Sequence, residues 1–277
     1  MKIFITGASG FIGRNLTEHW KNHQVTAWNR HLDLFEQLLI ANPDLVIHCA
    51  AEIYQPVLMW QANLDLTKTC LDYVKSRPWT KMIHIGSSSE YGPRSSPSAE
   101  TDRINPVDMY QATKGMATLL CQGYARTWDL NVKIARPYSV YGRYEKPHRL
   151  FPRLWRAFNL DQPMTLFDGQ HDFIYIDDFV RGLDILINDT GHRPGDIVNF
   201  GSGQQYSNLA VLEKFQQVTG RIAPVTHVPG MAKAFETECW QCDCAYAQSA
   251  YGFECTYDLE SGIRDFLDTA KYLKEQP

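Results

Sequence analysis

The stretch Gly7-Ala8-Ser9-Gly10-Phe11-Ile12-Gly13 follows the apolar run Lys2 to Thr6 and leads into a helical pattern from Gly13 to Asn22. Glycines spaced G-x-x-G-x-x-G between a buried strand and a helix permit a tight turn and a close backbone approach to a pyrophosphate. The anion then faces the positive end of the helix. Glycine-rich turns also occur for packing alone. A turn at residue 7, after a single strand, favours the phosphate-cradling use and assigns Gly7, Gly10, Phe11, Ile12 and Gly13 to a dinucleotide. It also constrains the rest of the chain, because such turns belong to sheets in which strands and helices alternate.

That alternation is present. Gln24 to Trp28, Asp44 to Cys49, Lys81 to Ile85 and Val132 to Ala135 read as strands. Leu34 to Ala41, Pro56 to Ser76 and Tyr110 to Trp128 read as helices. The expectation is an α/β fold with a Rossmann-type doubly wound parallel sheet over residues 1–136. After Arg136 the pattern loosens. Phe151 to Phe158, Asp178 to Ile187 and Leu209 to Thr219 look helical; Met164 to Phe167, Phe173 to Ile176 and Ile197 to Phe200 look like short strands. Residues 137–277 are expected to form a smaller α/β C-terminal substrate domain, with residues 172–204 interleaved into the first domain.

An acid at the end of the second strand would bond the adenosine ribose 2′-hydroxyl, and a base there would accommodate a 2′-phosphate. Asn29-Arg30 occupies that place, with no acid before Asp33. This favours NADP, with NAD possible.

Tyr110-Gln111-Ala112-Thr113-Lys114 sets a phenol and an ammonium at i and i+4 on one helix face. Tyrosine ionises near pH 10, and nearby positive charge favours the phenolate, so the pair can exchange a proton with a substrate oxygen near neutral pH. The spacing alone is common on helix surfaces. Specificity comes from Ile83-His84-Ile85-Gly86-Ser87-Ser88-Ser89, where serines end the strand expected beside this helix. A hydroxyl there can bond the reacting oxygen and complete a Ser/Tyr/Lys set.

Composition sets limits. The 277 residues are 44% hydrophobic and 21% charged, as in an ordinary globular chain able to bury a large core. The net charge of −4 gives no reason to expect nucleic-acid binding. No apolar run is long enough for a membrane span. The N-terminus lacks the pattern of a signal peptide, which leads to the expectation of a cytoplasmic protein. Seven cysteines without a secretion signal argue against a disulfide framework. Cys239-x-x-Cys242-x-Cys244, with Cys255 nearby, lacks a good second C-x-x-C pair. It reads as a strand with Cys242 and Cys244 on one face, and no metal is expected.

Taken together, these segments resemble the extended short-chain dehydrogenase/reductases of the NAD-dependent epimerase/dehydratase family that act on nucleotide sugars. The likeness covers nearly the whole chain. It runs through Gly7 to Gly13, His48-Cys49-Ala50-Ala51, Asn63, Gly86 to Gly92, Tyr110 to Lys114 and Arg136-Pro137-Tyr138-Ser139-Val140-Tyr141-Gly142. It continues through Asp172-Phe173-Ile174-Tyr175-Ile176-Asp177-Asp178, Asn199 to Gly203 and Leu259 to Ile263. The resemblance implies cofactor contacts at Asn29, Arg30, Asp33, Leu34, Ala50, Ala51, Asn63, Lys114 and Pro137. It implies substrate contacts at Ser88, Ser89, Glu90, Ser139, Arg143, Arg149 and His171.

Gly86-Ser87-Ser88-Ser89-Glu90-Tyr91-Gly92 looks most like GDP-4-keto-6-deoxymannose reductases and GDP-fucose synthases, and gives Ser87 the catalytic hydroxyl position. The family's 4,6-dehydratases carry an acid just after that hydroxyl. Here Ser88 and Ser89 stand there, and Glu90 would serve only if the loop shifted by one residue. His171 replaces the arginine that usually binds diphosphate, Ser139 replaces a frequent asparagine, and a second arginine is not evident around Gly230 to Glu238. Arg143, Arg149, Arg153 or Arg156 can supply the charge, or can form a solvated helix face. The leading expectation is 4-keto reduction of a nucleotide sugar with NADPH, Tyr110 giving the proton and Ser87 and Lys114 assisting. The alternatives are a 4-epimerase with tightly bound NAD, and an inactive dinucleotide-binding regulator. The resemblance also implies a homodimer through the helices of Pro56 to Ser76 and Tyr110 to Trp128.

Overall fold

In a computed structural model, the structure describes residues 1–230 and 239–274. The first half runs β1 (Lys2–Thr6), α1 (Phe11–His19), β2 (Gln24–Ala27), α2 (Leu34–Ala41), β3 (Leu45–His48) and α3 (Pro56–Trp60). A π-helical turn (Gln61–Asp65) then leads into α4 (Leu66–Ser76) and β4 (Lys81–Ile85), and a 3₁₀ turn (Ser88–Tyr91) precedes α5 (Met109–Trp128) and β5 (Val132–Pro137). The second half runs β6 (Ser139–Tyr141), α6 (Leu150–Leu160), β7 (Met164–Phe167), β8 (Gln170–Tyr175), α7 (Ile176–Asn188), β9 (Asp196–Phe200) and β10 (Gln205–Ser207). It ends with α8 (Asn208–Thr219), β11 (Val225–Val228), α9 (Ala245–Tyr251) and α10 (Leu259–Thr269).

Six strands pair in parallel in the order β2-β1-β3-β4-β5-β9. Their residues alternate between two cores, as the pleat requires. Ile3, Ile5, Leu45, Ile47, Ile83 and Ile85 face a large cluster with Leu16 of α1 and Phe179, Leu183 and Leu186 of α7. Phe4, Val46, Met82, Val132 and Ile134 face the opposite cluster, with Leu34 and Leu38 of α2, Cys70, Leu71 and Val74 of α4, and Cys121 and Ala125 of α5. Helices therefore cover both faces, which is why β3 and β5 are buried along their whole length.

β9 comes from far along the chain yet pairs with β5 at the sheet edge, so the chain returns to the first sheet after leaving it. The remaining strands form two small sheets, β10-β8-β6 and β11-β7. The mostly helical stretch expected from Pro56 to Ser76 contains the π-helical turn, which points Asn63 and Leu64 inward. The expected cysteine strand is not formed: Cys242 makes only an isolated bridge to Ser98, and Cys244 precedes α9. The segment around Cys239–Asp243 is instead fastened to the Arg94–Ser98 loop. Ser98 N–H donates to Gln241, Asp243 N–H to Ser98 and Cys239 N–H to Arg94.

Candidate active site

The strand order turns at β1, with β2 on one side and β3 on the other, and such a switch point opens a crevice beyond the carboxyl ends of the strands. The glycine turn lies there. Gly7 has φ +70°, and a Cβ on it would come 2.8 Å from Ala50 N, just past β3. A Cβ on Gly13 would lie 2.2 Å from the Gly7 carbonyl oxygen. Gly10 caps α1 without any side-chain hydrogen bond, so the first N–H groups of the helix face the crevice. Bare backbone and an uncapped helix start suit a pyrophosphate. Phe11 and Ile12 are partly buried against the core.

Beyond β2, Asn29 and Arg30 are exposed, and Arg30 makes no ion pair among the described residues. The loop is shaped by Gln37, whose amide donates to the carbonyls of Asn29, Leu32 and Asp33. Two residues expected to contact the cofactor have structural roles here. Asp33 caps α2, accepting the Glu36 N–H at 2.8 Å. Leu34 is buried in the core beneath α2. At the end of β3, Thr6 Oγ1 accepts the Ala50 N–H at 3.1 Å. The same hydroxyl bonds His48 Nδ1, whose Nε2 meets Thr67 Oγ1. Burial, helped by the Lys114 charge, lowers the His48 pKa to about 3, so this imidazole is a neutral brace. Ala51 is exposed beside Ala50, and Pro137 is buried at the end of β5. Asn63, also expected to touch the cofactor, spends its amide within the protein. It accepts the Glu52 N–H and donates to Glu52 O and Thr113 Oγ1, fixing the β3–α3 loop against α5.

Ser87, Tyr110 and Lys114 come together where β4 ends and α5 begins. Ser87 caps the 3₁₀ turn, and its hydroxyl lies 2.7 Å from Ser89 Oγ. It also bonds the Tyr110 phenol. Lys114 Nζ donates to the Ile85 carbonyl at 2.5 Å. Burial raises the Tyr110 pKa, opposed by the Ser87 hydrogen bond and by Arg149, and supported by Glu90 and Asp108. Burial lowers the Lys114 pKa, opposed by Glu90. The phenol therefore keeps its proton until positive charge arrives beside it.

The expected substrate contacts divide. Ser88 and Ser89 are buried in the 3₁₀ turn. Ser139 is half-buried at the start of β6, and His171 lies on β8 with its ring against Phe173 and Trp240. Arg143 is engaged by Asp177 at 2.8 Å. Arg149, at the head of α6, is half-exposed and its charge reaches Tyr110. Glu90 is corrected: it is fully buried, accepts the Ser87 N–H at 2.8 Å and pairs with Arg136 at 2.7 Å, so it touches no substrate. Its partner Arg136 was missed, although a lone arginine inside an apolar strand run is a signal of a buried ion pair. The place expected to lack a second arginine falls mostly on residues 231–238, outside the described residues.

A parallel doubly wound sheet with a glycine turn at its switch point and a Ser/Tyr/Lys cluster beside it defines a dinucleotide-dependent enzyme of the short-chain dehydrogenase type. Residues 3–201 match the sequence model of the NAD dependent epimerase/dehydratase family, and the chain belongs to that family. It is 25% identical, over 307 aligned positions covering 95% of this chain and 96% of the relative, to an uncharacterized UDP-glucose epimerase (YtcB) of Bacillus subtilis strain 168. It is also 25% identical to the dTDP-glucose 4,6-dehydratase of Haemophilus influenzae, over 95% of this chain and 96% of the relative. Among solved structures, the UDP-glucuronic acid 4-epimerase of Bacillus cereus, in complex with UDP-glucuronic acid and NAD, superposes with a TM-score of 0.86. It shares 25% identity over the whole of both chains.

Proposed function

We propose that the protein is a 4-epimerase of a nucleotide-activated hexose or hexuronate, working with a tightly held NAD. When bound against the Gly7–Gly13 turn, the nicotinamide cofactor supplies the acceptor, and then the donor, of a hydride at C4. Tyr110 takes the proton of the 4-hydroxyl and later returns it. Ser87 holds the same oxygen by a hydrogen bond, and the Lys114 charge favours the phenolate in between. The 4-keto sugar turns over in the site and is reduced on its other face, so the cofactor is recycled.

The observation that carries this reading is the 3₁₀ turn after Ser87. Ser88 and Ser89, which follow Ser87 in the turn, carry hydroxyls and no carboxyl group, while its acid, Glu90, is locked inside on Arg136. A 4,6-elimination needs a carboxyl group beside the sugar, and this turn supplies none. The 4-keto reduction favoured by sequence motifs gives way because the similar proteins include 4-epimerases, one of them solved in complex with NAD. NAD is preferred to NADP on the same ground, with exposed Arg30 keeping the second open to test. The reading also takes the protein as a cytoplasmic homodimer; among the described residues no helix is long and apolar enough to cross a membrane.

The test is to denature the purified protein and identify the nucleotide released. Near-stoichiometric NAD, with interconversion of UDP-glucuronate or UDP-glucose and no net cofactor consumption, supports the epimerase. An empty protein that prefers NADPH and consumes it with a 4-keto sugar overturns it.

A further inference from the structure

The epimerase reading uses Ser87, Tyr110 and Lys114 and leaves a buried carboxylate directly behind them unexplained. Glu90 is fully buried, and every oxygen of its carboxylate is engaged. Oε1 accepts the Ser87 N–H at 2.8 Å, and Oε2 accepts Arg136 Nη2 at 2.7 Å. Its main-chain oxygen also accepts the Asn105 N–H. A Cβ on Gly86 would come 2.8 Å from Oε1, so the carboxylate packs against the bare backbone of the strand end.

Stability alone does not account for the arrangement. A buried ion pair loses much of its Coulomb energy to desolvation, and an apolar pair of similar volume is often as stable. The Arg136 guanidinium also lies over the Tyr91 ring, 4.5 Å from its centroid, yet among the described residues its Nε and Nη1 have no hydrogen-bond acceptor. The pair nevertheless sits where two reacting groups meet a strand end. Ser87 is the residue it caps, and α5 packs directly on the 3₁₀ turn that carries it.

We propose that Glu90 is a positioning residue, whose carboxylate, paired with Arg136, fixes the Ser87 backbone and lies behind the Tyr110–Lys114 pair. The proposal rests on the assignment of those three residues to catalysis, and not on which sugar is turned over. The charges that face Tyr110 are Glu90 from the turn, Arg149 at the head of α6 and Asp108 at the N-cap of α5, and Lys114 follows one turn along the same helix. Those that face Lys114 are Glu90, Cys49 after β3, His48 on β3, His84 on β4 and Cys121 on α5. The buried thiols and imidazoles stay neutral, because burial raises the former and lowers the latter. Glu90 is thus the anion that both groups share. It holds the proton on Tyr110 and the charge on Lys114, delaying phenolate formation until the oxidised cofactor brings its own positive charge.

The test needs no substrate. The ionisation of Tyr110 is followed by ultraviolet difference absorbance of the NAD-bound protein, with Tyr110→Phe as the blank. Glu90→Gln keeps an acceptor for the Ser87 N–H and removes the charge. The expected result is a Tyr110 titration displaced to lower pH by about threefold or more in proton affinity. If Glu90→Gln alone does not fold, Glu90→Gln/Arg136→Gln removes both charges together and carries the same expectation, since Glu90 is the largest charge acting on Tyr110 and Arg136 is not among the leading ones. A titration unmoved in the variant that folds overturns the proposal. A protein whose Tyr110 titration moves but which epimerises no nucleotide sugar refutes the functional reading and leaves the role of Glu90 standing.

Discussion

Lys114 fastens the first turns of α5 to the end of β4, its ammonium donating to the Ile85 carbonyl at 2.5 Å. The strand that ends in Ser87 and the helix that carries Tyr110 are thereby held by the charge that serves their chemistry. Because burial lowers the Lys114 pKa, its ammonium is held against a desolvation cost. Lys114→Met removes that cost together with the hydrogen bond, so the stability change is expected within about 1 kcal/mol. Turnover is expected to fall by about 10²–10⁴, because Tyr110 loses the charge that favours its phenolate. Thermal unfolding and steady-state assays check both halves. A variant with near wild-type turnover would remove Lys114 from the mechanism.

Gly13 supports the cofactor through an absence. A Cβ there meets the Gly7 carbonyl oxygen at 2.2 Å and Ala8 Cα at 2.7 Å, both backbone atoms that no side-chain rotation can clear. Gly13→Ala should cost about 1–3 kcal/mol from overpacking. It should also yield purified protein without bound nucleotide. Gly220→Ala is the control for stability: nothing lies within 4 Å of its Cβ, but its φ of +65° still carries backbone strain. Full nucleotide content in Gly13→Ala would mean that the turn does not cradle a pyrophosphate.

The central sheet was legible because its strands are buried on both faces and so read as unbroken apolar runs. Leu45 to His48 and Val132 to Pro137 show this. β6, β10 and β11 were not. They are three or four residues long and half-exposed, and carry neither a run nor a clean alternation. At the site, the placing of the glycine turn and of the Tyr110/Lys114 pair was legible because each lies within one short segment, and that of Ser87 because it ends the strand beside α5. Glu90 was not, because its role depends on Arg136, 46 residues away, and a sequence shows a charge without its partner. Leu34 and Asn63 have structural roles that the sequence did not show for a related reason: a leucine reads equally as a ligand contact or as core, and an asparagine amide can be spent on backbone. The π-helical turn that brings Asn63 inward leaves no mark in a helical pattern.

Glu145, beside the same site, makes a pH prediction. It lies before α6, is almost fully buried, and has one carboxylate oxygen without a hydrogen-bond partner among the described residues. Burial raises its pKa to about 7, opposed by Arg149. The folded state therefore holds this proton more tightly than the unfolded chain, where glutamate titrates near 4.5. Stability from this group is full below the lower value, declines as pH rises through the higher one, and is level above it. Glu145→Gln removes the penalty, so the variant should be more stable than wild type above neutral pH by about 1–3 kcal/mol. The two should converge in acid. Thermal midpoints measured across that range check the sign; a gap that widens towards acid contradicts the assignment.

The exposed apolar side chains bear on assembly. Val57, Leu58 and Trp60 on α3 and Met116 and Leu119 on α5 are open to solvent, on helices that pack side by side through α4 and the π-helical turn. Large apolar residues grouped on neighbouring helices mark an interface more often than isolated ones do. The expected homodimer would bury them. Leu119→Glu with Val57→Glu places charges there without disturbing the core, because both positions are already exposed. Sedimentation equilibrium should give twice the chain mass for the wild type and the single-chain mass for the double variant, each with unchanged circular dichroism. A wild type that sediments as one chain, or a double variant that stays at twice the mass, removes this face from the assembly. Tyr110 lies at the start of α5, on the same helix as Leu119. Loss of the dimer should therefore also lower turnover, to the extent that the partner steadies α5.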